Sequence, residues 1–281
     1  MRLAVLMTSH NRRDTTLRCL TALLSNQDHG TDVEVFLVDD GSTDGTRAAV
    51  LAAFPRVHVI QSSGELYWSR GMNLAWREAL KETFDAFLWL NDDVELRHDA
   101  LSTLLWAREF GVESLAEDCI IAGCLLDPET SEYSYGVAMR DSTWHPGRWR
   151  MVEPHPDVPK AVDSFHGNVV LVPASVVERI GIIDGAFSHS MGDTDYALRA
   201  ASTGVTILAA PGYVGTCPWN AAVATSLRSK LDRKFVPARD WRLLTRRHSP
   251  RAMWVVAFIS PYAGVLLPDR FRKWVRGLRA R

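Results

Sequence analysis

Four short apolar runs within residues 3–90, each separated from the next by a segment of helical period, constrain this chain more than any other feature. Leu3 to Thr8, Val33 to Val38, Val57 to Ile60 and Phe87 to Leu90 have the length and continuous apolarity of strands buried on both faces. Between them, Leu17, Leu20 and Leu24 share a helical face, and Thr46 to Phe54 is helical. Met72, Ala75, Trp76, Ala79 and Leu80 within Arg70 to Glu82 then keep the i, i+3, i+4, i+7, i+8 spacing of an amphipathic helix. A βαβαβαβ series implies an α/β fold, a Rossmann-like, mainly parallel sheet flanked by helices and joined by right-handed crossovers. Such sheets bind ligands outside the carboxyl ends of their strands, so function should lie in the residues immediately after each run.

The first run ends in Ser9-His10-Asn11-Arg12-Arg13, which is neither Gly-x-Gly-x-x-Gly nor a P-loop. Hydride transfer and ATP hydrolysis therefore lose most of their support. The second ends in Asp39-Asp40-Gly41-Ser42-Thr43-Asp44-Gly45, and the fourth in Asn91-Asp92-Asp93. Two adjacent carboxylates repel each other, which a bound cation or a hydrogen-bond partner resolves, so Asp92 and Asp93 could hold a divalent ion against a diphosphate.

The second half is less regular. Ile120 to Leu126, Tyr133 to Met139, Asn168 to Val172 and Val205 to Ala209 read as strands, and Ala174 to Ile180 and Asp193 to Thr203 as helices. Residues 141–162 form a long loop whose Trp144, His145, Trp149 and His155 could wall an acceptor. With 47% hydrophobic and 23% charged residues among 281, the composition is that of an ordinary globular protein. Cys19, Cys119, Cys124 and Cys217 have neither zinc nor disulfide spacing and read as core residues in a reducing compartment, and the N-terminus lacks a signal-peptide pattern. A cytoplasmic protein without a nucleic-acid partner is expected.

Charge divides the chain. Residues 226–281 hold 15 of the 32 Lys and Arg but three acids, leaving an acidic body of 17 basic and 30 acidic residues. We read a domain over 1–221 and a basic helical appendage over 222–281. Phe271, Trp274, Val275 and Leu278 share a helical face ringed by Arg270, Arg272, Lys273, Arg276 and Arg279, which suits either docking on the body or peripheral attachment to the inner face of the plasma membrane.

Thr8-Ser9-His10-Asn11-Arg12, Val38-Asp39-Asp40-Gly41-Ser42-Thr43-Asp44, Asn91-Asp92-Asp93 and Gly192-Asp193-Thr194-Asp195, in that order, resemble the family 2 glycosyltransferases. The Gly192-Asp193-Thr194-Asp195-Tyr196 and Gly167-Asn168-x-x-Leu171-x-Pro173 context resembles rhamnosyltransferase-like members. The resemblance spans roughly residues 2–215 and implies a GT-A fold, a nucleotide-diphospho-sugar donor, a divalent cation (Mn²⁺ or Mg²⁺) and inversion at the anomeric carbon. The acceptor would be a hydroxyl of a glycan or lipid-linked saccharide, in cell-surface polysaccharide synthesis.

On that resemblance Asp40 meets the nucleotide base, with Thr8, His10 and Asn11 forming the opposite wall. Arg70, at the start of a helix, contacts the donor phosphates, where free backbone N–H groups would assist. Asp92 lies near the ribose, Asp93 is the principal metal ligand, His166 approaches the sugar or diphosphate, and Asp193 is the catalytic base. Asp195 pairs with Arg199 four residues on, and Asp39 and Asp44 shape a turn. Asn91 stands where relatives often carry a carboxylate, and Pro211 to Asn220 offers no histidine as a further metal ligand. Two other functions remain compatible: a nucleotide-sugar-binding scaffold without turnover, and a sugar-1-phosphate nucleotidyltransferase, although the latter's Gly-rich loop is absent at 8–13.

Overall fold

A computed structural model of the chain describes residues 1–26, 30–141, 149–189, 191–219, 240, 243–244 and 246–248. Strand β1 (Arg2–Ser9), helix α1 (Arg13–Leu24), β2 (Asp32–Asp39), α2 (Thr46–Ala53), β3 (His58–Gln61), α3 (Tyr67–Ala79) and β4 (Ala86–Leu90) keep the expected alternation. Next come β5 (Glu95–Leu96), α4 (Ala100–Leu115), β6 (Ile120–Leu126), β7 (Tyr133–Tyr135), β8 (Val137–Arg140), β9 (Trp149–Val152), β10 (Lys160–Val162) and β11 (Ser164–Phe165). The last elements are β12 (Val169–Pro173), α5 (Ala174–Ile180), α6 (Gly192–Ser202) and β13 (Ile207–Thr216).

The main sheet runs β10-β13-β6-β12-β4-β1-β2-β3, with β5 on β13 and β7 on β6. Strands β4, β1, β2 and β3 are mutually parallel, and β12 enters antiparallel between β4 and β6. Both faces are buried, which is why the strands read as unbroken apolar runs. Leu3, Val5 and Met7 face one core with Leu88, Leu171, and Leu20 and Leu23 of α1. Ala4 and Leu6 face the other, with Trp89, Val170, Met72 and Trp76 of α3, and Tyr196 of α6. The chain leaves β1 toward β2 by a helix on one face and returns to β4 by a helix on the other, so β1 and β4 flank the point where strand order reverses. A crevice opens there.

Four local readings change. The segment 133–139 divides into β7 on the main sheet and β8 on a small sheet, β11-β8-β9. The long loop holds β9 and β10 within its described part. The strand expected to end at Ala209 extends to Thr216, passing Pro211 with register shifts that absorb the missing N–H. Helix α4 was not expected: apolar residues all round, from Leu101 to the exposed Trp106 and Leu115, blur its period. No helix among the described residues is long and apolar enough to cross a membrane. Trp144, His145 and the helix expected from Pro268 to Arg281 lie outside the described residues.

Candidate active site

The ends of β1, β2 and β4 and the start of α3 enclose a cavity of about 510 Å³ lined by Thr8, His10, Arg12, Asp40, Asp92 and Asp93, among others. Thr8 touches α3: a Cβ on Gly71 would meet its Oγ1 at 2.3 Å, so only glycine allows this approach of helix to strand. His10 Nδ1 donates to the Asp40 carbonyl. Asn11, at φ 52°, accepts from Thr43 N at 2.7 Å and donates its N–H to Ser42 Oγ at 2.9 Å. It staples the loops after β1 and β2 together and is not part of the cavity lining.

Asp40 lines the cavity with its carboxylate held by four donors. Oδ1 accepts from Ser62 Oγ at 2.6 Å and Gly64 N at 2.9 Å, and Oδ2 from Leu66 N at 3.0 Å and Tyr67 N at 3.1 Å. The carboxylate is the anion at the N-terminus of α3, taking amides expected for the donor phosphates. Ser69 N, two residues beyond Tyr67, goes to the Ser188 carbonyl at 3.0 Å. Arg70 accordingly turns away: its Nε reaches the Gly185 carbonyl at 3.4 Å, and it lines neither this cavity nor its neighbour.

Arg12, to which the sequence assigned no role, supplies the charge at the acidic pair. One guanidinium nitrogen donates to Asp92 Oδ1 at 3.0 Å and to Asp93 Oδ2 at 2.8 Å. Asp92 is 5% exposed, and its buried Oδ2 has no hydrogen-bond partner among the described residues. Burial pushes its pKa up to about 6, with Arg12 opposing the rise and Asp93 adding to it. Asp93 Oδ1 accepts from the thiol of Cys217 at 3.5 Å, at the position where a ligating histidine was sought, and burial beside Asp93 raises that thiol's pKa. Asn91 Oδ1 is occupied by Trp68 Nε1 at 2.6 Å.

A second cavity of about 450 Å³ abuts the first, sharing Trp68, Asn91 and His189 with it. Its walls include Tyr135, Trp149, Phe165, His166 and Asp193. Trp68 lies over Gly167, where a Cβ would meet the indole at 2.3 Å. Asp193 is the second residue of α6. Its Oδ1 accepts from Thr194 N at 2.7 Å and its Oδ2 from Gly167 N at 3.2 Å, which orients the carboxylate. His166 accepts from Gly136 N at its Nδ1, and burial lowers its pKa against the pull of Asp193. Asp195 faces the other way, paired with Arg199 Nε at 2.9 Å as expected, and also with Arg247 and His248.

Thr8, His10, Asp40, Asp92 and Asp93 thus gather at the first cavity and His166 and Asp193 at the second, while Asn11 and Arg70 stand outside both. Residues 4–110 match the family described as Glycosyl transferase family 2. Low-salt glycan biosynthesis hexosyltransferase Agl10 of Haloferax volcanii is 25% identical over 182 residues, 62% of this chain and 55% of that protein. The fold is similar to that of GalNAc-T7, solved with UDP, GalNAc and Mn²⁺ (TM-score 0.60, 14% identity, 84% of this chain and 48% of that one). It is similar also to S. aureus TarS 1–349 (TM-score 0.60, 12% identity, 99% and 79%). Mannosyltransferase PcManGT from Pyrobaculum calidifontis, solved with GDP-Man and Mn²⁺, has TM-score 0.55 at 15% identity, covering 99% and 80%. The chain spans about half the length of Agl10 and of GalNAc-T7. Residues 4–110 are thus similar to glycosyltransferase family 2, and the chain has the GT-A fold that its architecture shares with glycosyltransferase structures.

Proposed function

We propose that this chain is an inverting glycosyltransferase that moves a hexosyl or deoxyhexosyl group from a nucleotide-diphospho-sugar to a hydroxyl of a saccharide, free or lipid-linked. The observation that carries this reading is the pair of abutting cavities, one holding Asp92, Asp93 and Arg12 and the other Asp193. The first suits the donor. Asp92 Oδ2, buried and without a partner among the described residues, and the adjacent Asp93 carboxylate fit a hard divalent cation. Among the described residues no group of three or more His, Cys, Asp or Glu side chains could hold a metal, so donor phosphate oxygens would supply further ligands. When bound, such a cation neutralises charge on the departing diphosphate.

The second cavity suits the acceptor. Tyr135 and Trp149 offer aromatic faces to a sugar ring, and Asp193 is the carboxylate in the lining. In a single displacement the anomeric carbon loses its bond to the phosphate oxygen as it gains one to the acceptor oxygen, and Asp193 takes the acceptor's proton. The Gly167 and Thr194 amides fix its orientation.

The test is a thermal-shift panel of UDP-, GDP- and dTDP-hexoses with Mn²⁺ or EDTA, followed by transfer assays with the best binder. A ligand at about 100 times its Kd stabilises the folded chain by about 2.7 kcal/mol. A chain that binds no member of the panel, or binds one equally well in EDTA, overturns the metal-dependent donor site. Binding without transfer to any saccharide acceptor would favour the scaffold reading.

A further inference from the structure

Residues remote in sequence reach the junction of the two cavities from behind. Asp240 is fully buried, and its carboxylate accepts from Ser188 N at 3.1 Å, Ser188 Oγ at 3.0 Å and His189 N at 3.0 Å. A buried carboxylate is tolerated only where such donors replace water. The Ser188 carbonyl is held from the opposite side by Ser69 N of α3. Leu244, 1% exposed, packs with Phe187 and Leu198, and Trp149 and Met191 of the second cavity lie against the same cluster. Arg247 bridges Asp184 and Asp195. The strip carrying His189 is therefore clamped on both sides, and its ring stands exposed between the clefts, lining both.

No described residue hydrogen-bonds the ring nitrogens of His189, which sits edge-on to Tyr67 at 6.2 Å. A fixed imidazole whose nitrogens no described residue engages, between the acidic pair and Asp193, lies where the donor's reacting bond must pass. We infer that His189 contacts substrate, donating its N–H to the diphosphate oxygen that gains charge during transfer, and that Asp240 is its positioning residue. This rests on the glycosyltransferase reading. As the anomeric carbon–oxygen bond breaks, its electron pair moves to that phosphate oxygen, the acceptor oxygen bonds the anomeric carbon, and the acceptor proton passes to Asp193. His189 transfers no proton. A donor aimed at developing charge acts chiefly in the transition state.

The experiment uses the full chain and whichever UDP-, GDP- or dTDP-hexose the panel selects. His189→Ala should lower kcat about 10²-fold, the scale of losing one such donor, with donor KM and melting temperature near the parent's. His189→Gln, which retains an N–H, should recover part of the loss. Asp240→Asn should lower kcat in the same direction, with Ser188→Ala as a milder variant should the first fail to fold. The double variant His189→Ala/Asp240→Asn should be no slower than His189→Ala alone, because Asp240 acts through the ring. A kcat within twofold of the parent for His189→Ala, or a glutamine no better than alanine, overturns the contact. Additive losses in the double variant overturn the positioning role. A parent chain that binds no panel member fails the glycosyltransferase reading itself, and the inference with it.

Discussion

Replacing Asp92 by asparagine should stabilise the protein at neutral pH while disabling it. Asp92 is 5% exposed, one carboxylate oxygen has no partner among the described residues, and burial moves its pKa from 3.8 to about 6. A raised carboxylate pKa means that the folded state disfavours the ion relative to the unfolded chain. Below about pH 4 both states are protonated and no penalty exists; it grows between about pH 4 and 6 and is constant above. Two pKa units at about 1.4 kcal/mol each make it about 3 kcal/mol at neutral pH. The amide keeps the shape and an oxygen for Arg12 but loses part of that charge pair, so the net gain should be about 1–3 kcal/mol. At this chain length that is about 2–4 °C in Tm per kcal/mol. Thermal unfolding monitored by circular dichroism at pH 7.5 and pH 4, without added divalent cation, is the assay. Asp92→Asn should melt higher at pH 7.5 and level with the parent at pH 4. A Tm at or below the parent's at pH 7.5, or the same offset at both pH values, would refute the reasoning. The gain would mark Asp92 as a residue kept for function against stability.

Two further predictions concern catalysis and the donor wall. Asp193→Asn keeps the oxygen that receives the Gly167 amide yet removes the proton acceptor, so transfer should fall about 10²–10⁴-fold with donor affinity retained, as steady-state kinetics and calorimetry would report. Gly71→Ala sets a methyl 2.3 Å from Thr8 Oγ1, which should lower stability by about 1–3 kcal/mol and weaken nucleotide-diphosphate binding together; a variant that melts and binds like the parent would mean that α3 yields at no cost.

The parallel half of the fold was legible because strands buried on both faces leave nothing but apolar residues between polar turns. Phe87 to Leu90 could be read as β4 without knowing its neighbours, and the role of the acids after it came from sheet geometry. The antiparallel additions were harder. Nothing in Ala100–Leu115 shows which of its apolar residues face the sheet, and Tyr133 to Met139 gives no sign that a chain break between sheets falls at Gly136. A Cβ there would meet the Tyr133 hydroxyl at 2.5 Å, a crowding visible only once the strands are assembled. At the site, the sequence identified the carboxylates but not their partners. Asp40 and the α3 amides each suggested a ligand contact, yet the structure shows them bonded to one another. Arg12 stood inside a recognised motif, and only the folding of β1 beside β4 revealed that it bridges Asp92 and Asp93.

Asp193 and Asp195 show how the fold assigns opposite tasks to like residues. Two positions apart on a helix, their side chains point about 200° from each other. Asp193 lines the second cavity, whereas Asp195 is fully buried and bonded to Arg199, Arg247 and His248. Burial alone would raise the Asp195 pKa, but hydrogen bonds from His248 and Arg199 and the charge of Arg247 hold it below the usual carboxylate range. It is therefore ionised wherever the protein is folded near neutral pH, and a buried ion held by two guanidinium groups and a histidine ring resists displacement. Arg199 extends the hold to the Ile180 and Ile182 carbonyls at the far end of α5, and Arg247 to Asp184. Helix α6 is thus fixed by its Asp195 face. For Asp193 to act as the base we propose, it must be held within about 0.5 Å of a productive geometry, and the charges on the opposite side of the helix set that position.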